Sequence, residues 1–127
     1  MAVGISSYAV NALFNAIGNN TSFAVATCYV QLHIGDPGAA GTSNTATETT
    51  RKAVSFGAAA SGAISNDAQI QWTSIAGSQD ATHFSLWDAS SAGNFLGSGT
   101  ITANSYTAGD TYTIAIGDLD LSLTVAS

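Results

Sequence analysis

The sequence predicts an all-β fold, a single β-sandwich or jelly-roll-like domain of about seven short strands behind one N-terminal amphipathic helix. Three observations carry this expectation. Apolar residues recur at helical steps only in residues 5–18. From residue 25 onward the apolar period is two. Turn sequences rich in Gly, Ser, Asn and Asp separate the alternating runs at short intervals. The expected organisation is one domain over 1–127, with the helix at 5–18 and the sandwich at 25–127. A long loop at 35–50 interrupts the sandwich.

In the helical segment Ile5, Tyr8, Ala9, Ala12, Leu13, Ala16 and Ile17 form an apolar stripe, which an amphipathic helix turns toward a core. Ser6 or Ser7 suits the N-cap, and Gly18 stands where a left-handed C-terminal residue is favoured. Val10 and Phe14 lie off the main stripe, four residues apart, and suit either a partner or a wider core contact.

The first strand falls within Ala26–Ile34, where Cys28, Val30, Leu32 and Ile34 alternate with Tyr29, Gln31 and His33. The Gly35–Thr50 loop follows, opened by Asp36, the only proline, Pro37, and Gly38. Loops of such length are usually functional or mobile, and this one either reaches a neighbour or stays in solvent. Val54 and Phe56 mark the next strand, then Ile64, then Ile70 and Trp72 beyond the Ser65-Asn66-Asp67 turn. Thr82–Asp88 carries large side chains on both faces and predicts a strand covered from both sides. Phe95–Ala103 holds Gly97 and Gly99, which invite a bulge or a close backbone approach. Tyr112, Ile114 and Ile116 follow the Ala108-Gly109-Asp110 turn. Leu119, Leu121, Leu123 and Val125 give the cleanest alternation in the chain. Cys28, Val30, Leu32, Phe84, Leu86, Ile114, Leu121 and Leu123 are the expected core.

Composition narrows the function. Hydrophobic residues make up 46% of the 127 residues and charged residues only 8%, against about 25% charged in ordinary globular domains. The surface must therefore be built of Ser, Thr, Asn, Gly and small apolar groups. Such a surface fits either a Ser/Thr-rich β domain or a chain partly covered by copies of itself or a larger assembly. Net charge is −6, and Arg51 and Lys52 are the only cations, so no groove for a phosphate backbone can be assembled. Nucleic acid and anionic membrane are excluded as partners on the same ground. Cys28 is the only cysteine, which rules out an internal disulfide and a Cys-based zinc site. The N-terminal residues lack the pattern of a secretory signal, and no apolar run reaches the length of a membrane span. Folding in a cytoplasm is expected.

No motif for catalysis is present. There is no Gly-x-Ser-x-Gly, and Gly97-Ser98-Gly99 reads as a bulge or as small-residue packing. His83 lies near Asp80 and Asp88 in sequence, but a strand histidine bonded to a neighbour is the simpler reading. Asp36, Asp88, Asp110, Asp118 and Asp120 sit at strand ends, where Ca²⁺ ligands gather, yet no EF-hand spacing exists. Ordinary turn chemistry explains them. No cofactor, no metal and no enzymatic turnover are expected. The candidate interface residues are Val10, Phe14, Tyr29, Asp36, Pro37 and Tyr106. Tyr29, Trp72, Trp87, Tyr106 and Tyr112 could alternatively stack a glycan or receptor, with Trp72 and Trp87 expected in the core and Tyr106 at the surface.

Several segments resemble a family of small tailed-bacteriophage virion proteins, usually labelled tail fibre or minor structural protein. The resemblance runs through Tyr29-Val30-Gln31-Leu32-His33-Ile34-Gly35-Asp36-Pro37-Gly38, Arg51–Phe56, Ser65-Asn66 and Trp72. It continues through Thr82-His83-Phe84-Ser85-Leu86-Trp87-Asp88-Ala89, Gly93–Gly99 and Ala108–Thr111. The chain departs from that pattern at Ile34, Asn44 and Ser78–Ala81. The resemblance implies a non-enzymatic component of the phage particle, a capsid decoration or tail-fibre protein assembled in the host cytoplasm. It implies capsid or tail proteins as partners and self-association, most simply as a homotrimer. The helix would then either cover the end of the sandwich or plug into the particle.

Overall fold

The computed structural model describes residues 3–126. Helix α1 (Ser7–Gly18) begins where Ser6, in extended conformation, accepts the Ala9 N–H on its hydroxyl at 3.1 Å. This N-cap removes one of the unpaired donors of the first turn. The helix ends at Asn19, whose N–H returns to Asn15 O at 2.9 Å. Gly18 is inside the helix, not beyond it. The left-handed residue is Asn20, at φ 52°, a conformation that asparagine tolerates better than most side chains.

Among the described residues eight strands follow: β1 (Cys28–His33), β2 (Lys52–Val54), β3 (Ala63–Ser65), β4 (Ile70–Trp72), β5 (Gln79–Trp87), β6 (Phe95–Tyr106), β7 (Tyr112–Ile114) and β8 (Asp120–Ser122). Four form an antiparallel sheet in the order β2-β1-β5-β6, while β3 pairs with β8 and β4 with β7. The fold is thus dominated by β-structure in three sheets. In the large sheet Val30 faces Leu86 and Leu32 faces Phe84 across the β1–β5 ladder. These side chains share a face and pack with Ile70, Trp72, Tyr112, Ile114 and Leu119 from the small sheets and the final turn. Asn66, buried at the end of β3, ties that turn down. Its amide donates to Ala68 O and Ala115 O, and its oxygen accepts from Gly117 N and Leu119 N.

The long loop does not leave the molecule. Thr45 bridges His33, with Ile34 N–H donating to Asn44 O and Ala46 N–H to Leu32 O, so the returning segment lines the edge of β1. Pro37 is buried, as is Gly41. A Cβ at Gly41 would stand 2.5 Å from the Phe95 ring. Glu48 turns inward and accepts Thr50 N–H and Ala76 N–H. Burial acts to raise its pKa, but these hydrogen bonds outweigh it and hold the carboxyl below its usual range. The composition of the loop suits solvent, yet its backbone donors and acceptors find partners on its own sheet.

The glycines of β6 do allow close approach. Phe84 packs where a Cβ of Gly99 would stand, 2.7 Å away, and residues 4–6 lie along β6 at Gly97. Ser98 N–H donates to Gly4 O and Ser6 N–H to Leu96 O, which anchors the start of α1 to the outer edge of the large sheet. A bulge opposite Leu86 and Trp87 adds the irregularity expected there.

Three expected core residues are placed differently. Leu123 is 44% exposed, and Leu121 and Cys28 are half-buried. For Leu123 the reason is the tight turn at Ser61 and Gly62, both with positive φ. It reverses the chain before β3, so β8 loses its partner after Ser122 and Leu123 has only the Gly62 carbonyl across from it.

Candidate functional site

Two arrangements merit weighing as sites, and the first is a hydrogen-bonded chain inside the large sheet. His33, Ser85 and Trp87 share the face opposite the main core. His33 Nδ1 is 2.8 Å from Ser43 O, and its Nε2 is 2.7 Å from Ser85 Oγ, which also accepts Trp87 Nε1–H at 2.8 Å. A carbonyl can only accept, so the proton is on Nδ1, Nε2 accepts from the Ser85 hydroxyl, and the chain is fully satisfied. Burial lowers the His33 pKa and keeps the ring neutral. The sequence predicted no such Ser–His contact, yet one exists. It is not a nucleophile–base pair in function: both residues have 0% exposure, and a main-chain carbonyl stands where a triad has a carboxylate. His83 does not pair with Asp80 or Asp88, since its Nδ1 lies 2.8 Å from Thr82 Oγ1.

Arg51 closes this face. Its guanidinium lies 4.0 Å above the Trp87 ring and donates to Gln31 Oε1, Ala89 O and Ala92 O. One of the two cations is therefore an internal clamp. The turn aspartates are similarly engaged. Asp36 accepts Gly38 N–H, Asp110 accepts Thr107 N–H, Asp118 accepts the Thr102 hydroxyl and Asp120 that of Ser65. Asp88 binds the backbone and side-chain amides of Asn94, which hold its carboxyl below the usual range.

The second arrangement is an apolar face at the helix end. Of the whole α1 stripe only Ala9 is buried. Phe14 is 62% and Ile17 73% exposed, and Tyr8 and Leu13 also meet solvent. Phe23 packs edge-on against Tyr8, with ring centroids 6.3 Å apart. Between the helix and β8 runs a groove of about 380 Å³, lined by Leu13, Phe23, Leu121 and Leu123, among others. A second depression of about 390 Å³ continues it past Leu123 to Val125. Cys28 lies in the floor of the first, where burial pushes its thiol up to about 11. Free cysteine ionises near 8.5, so this thiol is inert at neutral pH.

Of the residues singled out from the sequence, Val10 and Phe14 are on α1, Val10 half-buried and Phe14 exposed, and neither lines the groove. Tyr29 and Asp36 are half-buried elsewhere. Pro37 and Tyr106 are corrections, because both are buried within their own chain. Tyr106 packs on Tyr112 at 5.3 Å, and its hydroxyl has no hydrogen-bond partner among the described residues. Trp72, Trp87 and Tyr112 are buried too, which leaves half-buried Tyr29 of the five aromatics considered for stacking a glycan. Sequence reasoning missed Ile17, Phe23, Leu123 and Val125 as surface residues. A signal existed: residues 1–35 and 121–127 contain no Asp, Glu, Lys or Arg.

Comparison with known proteins agrees with a structural rather than a chemical role. No curated protein matches the chain. Residues 4–122 match the family model described as podophage GP4 fiber I protein gp80. That span includes the helix, every strand and the segments from Tyr29 onward on which the resemblance rests. The chain thus belongs to the podophage fiber I protein gp80 family, and its role is that of a non-enzymatic structural component of the phage particle.

Proposed function

We propose that the chain acts as a fibre subunit that docks on tail or capsid proteins and associates with copies of itself, as a trimer. The observation that carries this reading is the solvent-exposed apolar face of α1, with Phe14 62% and Ile17 73% exposed. Large exposed apolar patches mark interaction surfaces, because leaving them in water forfeits the free energy of burial. The large and small sheets share one core cluster, which supports reading them as the two layers of a split sandwich and residues 1–127 as one domain. The chain folds in the host cytoplasm before it joins the particle.

Light scattering on the purified chain across micromolar concentrations tests self-association. The expected mass is three times the 12.7 kDa of one chain. A monomer at every concentration would remove the trimer. A cryo-EM map of the particle tests docking, and density for the chain absent from tail and capsid would remove that part.

A further inference from the structure

We infer that residues 35–43 form a strap across the face of the large sheet opposite the main core, latched by His33, and that this strap opens on acidification while the rest of the fold stays closed. The inference is independent of the self-association proposed above. The path of the strap follows from its contacts. It leaves β1 at Ile34 and returns to the same edge, where Ile34 N–H donates to Asn44 O and Ala46 N–H to Leu32 O. Its far end lies at Phe95 of β6, because a Cβ on Gly41 would stand 2.5 Å from that ring. In the sheet β5 lies between β1 and β6, so the strap crosses it. The Phe95 and Trp87 ring centroids are 5.4 Å apart, which puts the strap on the side of Ser85 and Trp87.

Little besides the latch ties the strap to the sheet. Its turns are closed internally: Gly38 N–H donates to Asp36 Oδ1, Gly41 N–H to Gly38 O and Ser43 N–H to Pro37 O. Among the described residues, one hydrogen bond joins residues 35–43 to the sheet, from His33 Nδ1–H to Ser43 O at 2.8 Å. The rest is packing, with Pro37 and Gly41 buried while Ala39, Ala40, Thr42 and Ser43 meet solvent. A segment held by so few contacts opens at lower free energy than the core strands.

The latch is built for an uncharged ring. His33 Nε2 accepts the Ser85 hydroxyl at 2.7 Å, and Ser85 Oγ accepts the Trp87 indole. A second proton on the ring, at Nε2, would meet that hydroxyl donor against donor. No carboxylate is bonded to the ring to offset the new charge. On β5, His83 opposes it, and Asp80 is exposed. Asp88 is taken up by Asn94, Asp36 of the strap by Gly38, and Glu48 by Thr50 and Ala76. Arg51, over Trp87, is a further cation. The strand β1 adds only Cys28 and Tyr29, and β6 only Tyr106. With His33 fully buried, keeping an unpaired charge there costs far more than parting one hydrogen bond. The protonated ring reaches water only when Ser43 and the strap lift from it.

The test is amide hydrogen exchange of the full chain by NMR from pH 7.5 to 5.5, with the intrinsic rate at each pH divided out. The His33 ring signals are followed in the same samples. Opening that takes up one proton rises by up to about tenfold per pH unit, beginning near the ordinary imidazole value of about 6.5. Protection of Gly38, Gly41 and Ser43 should fall in that way and in step with the His33 titration, while that of Phe84 and Leu86 holds. His83→Gln should leave the loss in place, and His33→Gln should abolish it. Where H33Q does not fold, the match between ring titration and strap exchange in the wild type decides alone. Strap protection that does not change with pH would overturn the inference. A fall shared equally by Phe84 and Leu86 would overturn it too, because the event would then be global. A fall that persists in H33Q, vanishes in H83Q or departs from the His33 titration would assign the proton elsewhere and remove the latch.

Discussion

His33 Nε2 and Ser85 Oγ stand 2.7 Å apart in the interior of the large sheet, on adjoining strands. Ser85 links the ring to Trp87, and Trp87 in turn supports Arg51. Replacing Ser85 by Ala leaves an imidazole acceptor and an indole donor buried without partners. Each such group costs about 1–3 kcal/mol. Denaturant titration should show Ser85→Ala less stable by about 2–4 kcal/mol. A loss below about 0.5 kcal/mol would mean that the chain of hydrogen bonds is not formed.

The neutral state of His33 has a pH signature. Its folded-state pKa lies below the ordinary value, chiefly through burial. The unfolded chain therefore takes up a proton first as pH falls, and stability falls with it. The contribution is complete above about pH 6.5, the unfolded imidazole value, and declines from there down through the lowered folded value. Urea midpoints at pH 7.5 and 5.5 should differ, with the lower at pH 5.5. His33→Gln should reduce that difference, and an unchanged slope in the variant would assign it to other groups.

Gly41 has φ 75°, and the Phe95 ring occupies the space a Cβ would need. A left-handed non-glycine residue costs about 1–2 kcal/mol before any clash. Gly41→Ala should therefore lower the melting temperature by several degrees, and the double variant with Phe95→Leu should lose less than the sum. Unchanged melting of G41A would show that the loop does not rest on Phe95.

Leu119 and Leu123 look alike in sequence and differ in place. Leu119 has 0% exposure and Leu123 44%. Leu119→Ala should cost about 2–5 kcal/mol, as in other close-packed cores. Leu123→Ala should change stability by under about 0.5 kcal/mol, measured where the chain is monomeric so that association does not contribute. Equal costs would put Leu123 back in the core.

Arg51 cannot be replaced by lysine without loss. Its guanidinium stacks on Trp87 and donates to three acceptors at once, which a single ammonium on a flexible stem does not reproduce. Arg51→Lys should destabilise by about 1–2 kcal/mol, from the stacking and the lost fork of hydrogen bonds. Quenching of Trp87 fluorescence should change with it. A variant as stable as wild type would reduce the clamp to a surface contact.

Local pattern alone determined a good deal of this protein. The helix and its Ser6 cap, the strands around Val30, Ile64, Ile70, Phe84 and Ile114, and the close approach at the β6 glycines follow from period and side-chain size. These features depend on neighbours within a few residues. The two-sided burial of β5 was also legible, because Phe84, Leu86 and Trp87 place large groups on both faces. Tertiary structure decided the rest. Alternation shows that Leu119, Leu121, Leu123 and Val125 could share a face, but not where the opposing strand ends, and it ends at the Ser61–Gly62 turn. The polar loop 35–50 reads as solvated, yet its backbone pairs with β1, and Pro37 and Gly41 become interior. An amphipathic stripe announces that α1 has something to bury, while its sequence is silent on whether its own sheet or another chain supplies the cover. Here only Ala9 of the helix is buried, because residues 4–6 fix the helix at the edge of β6, and Phe14 and Ile17 are left in solvent.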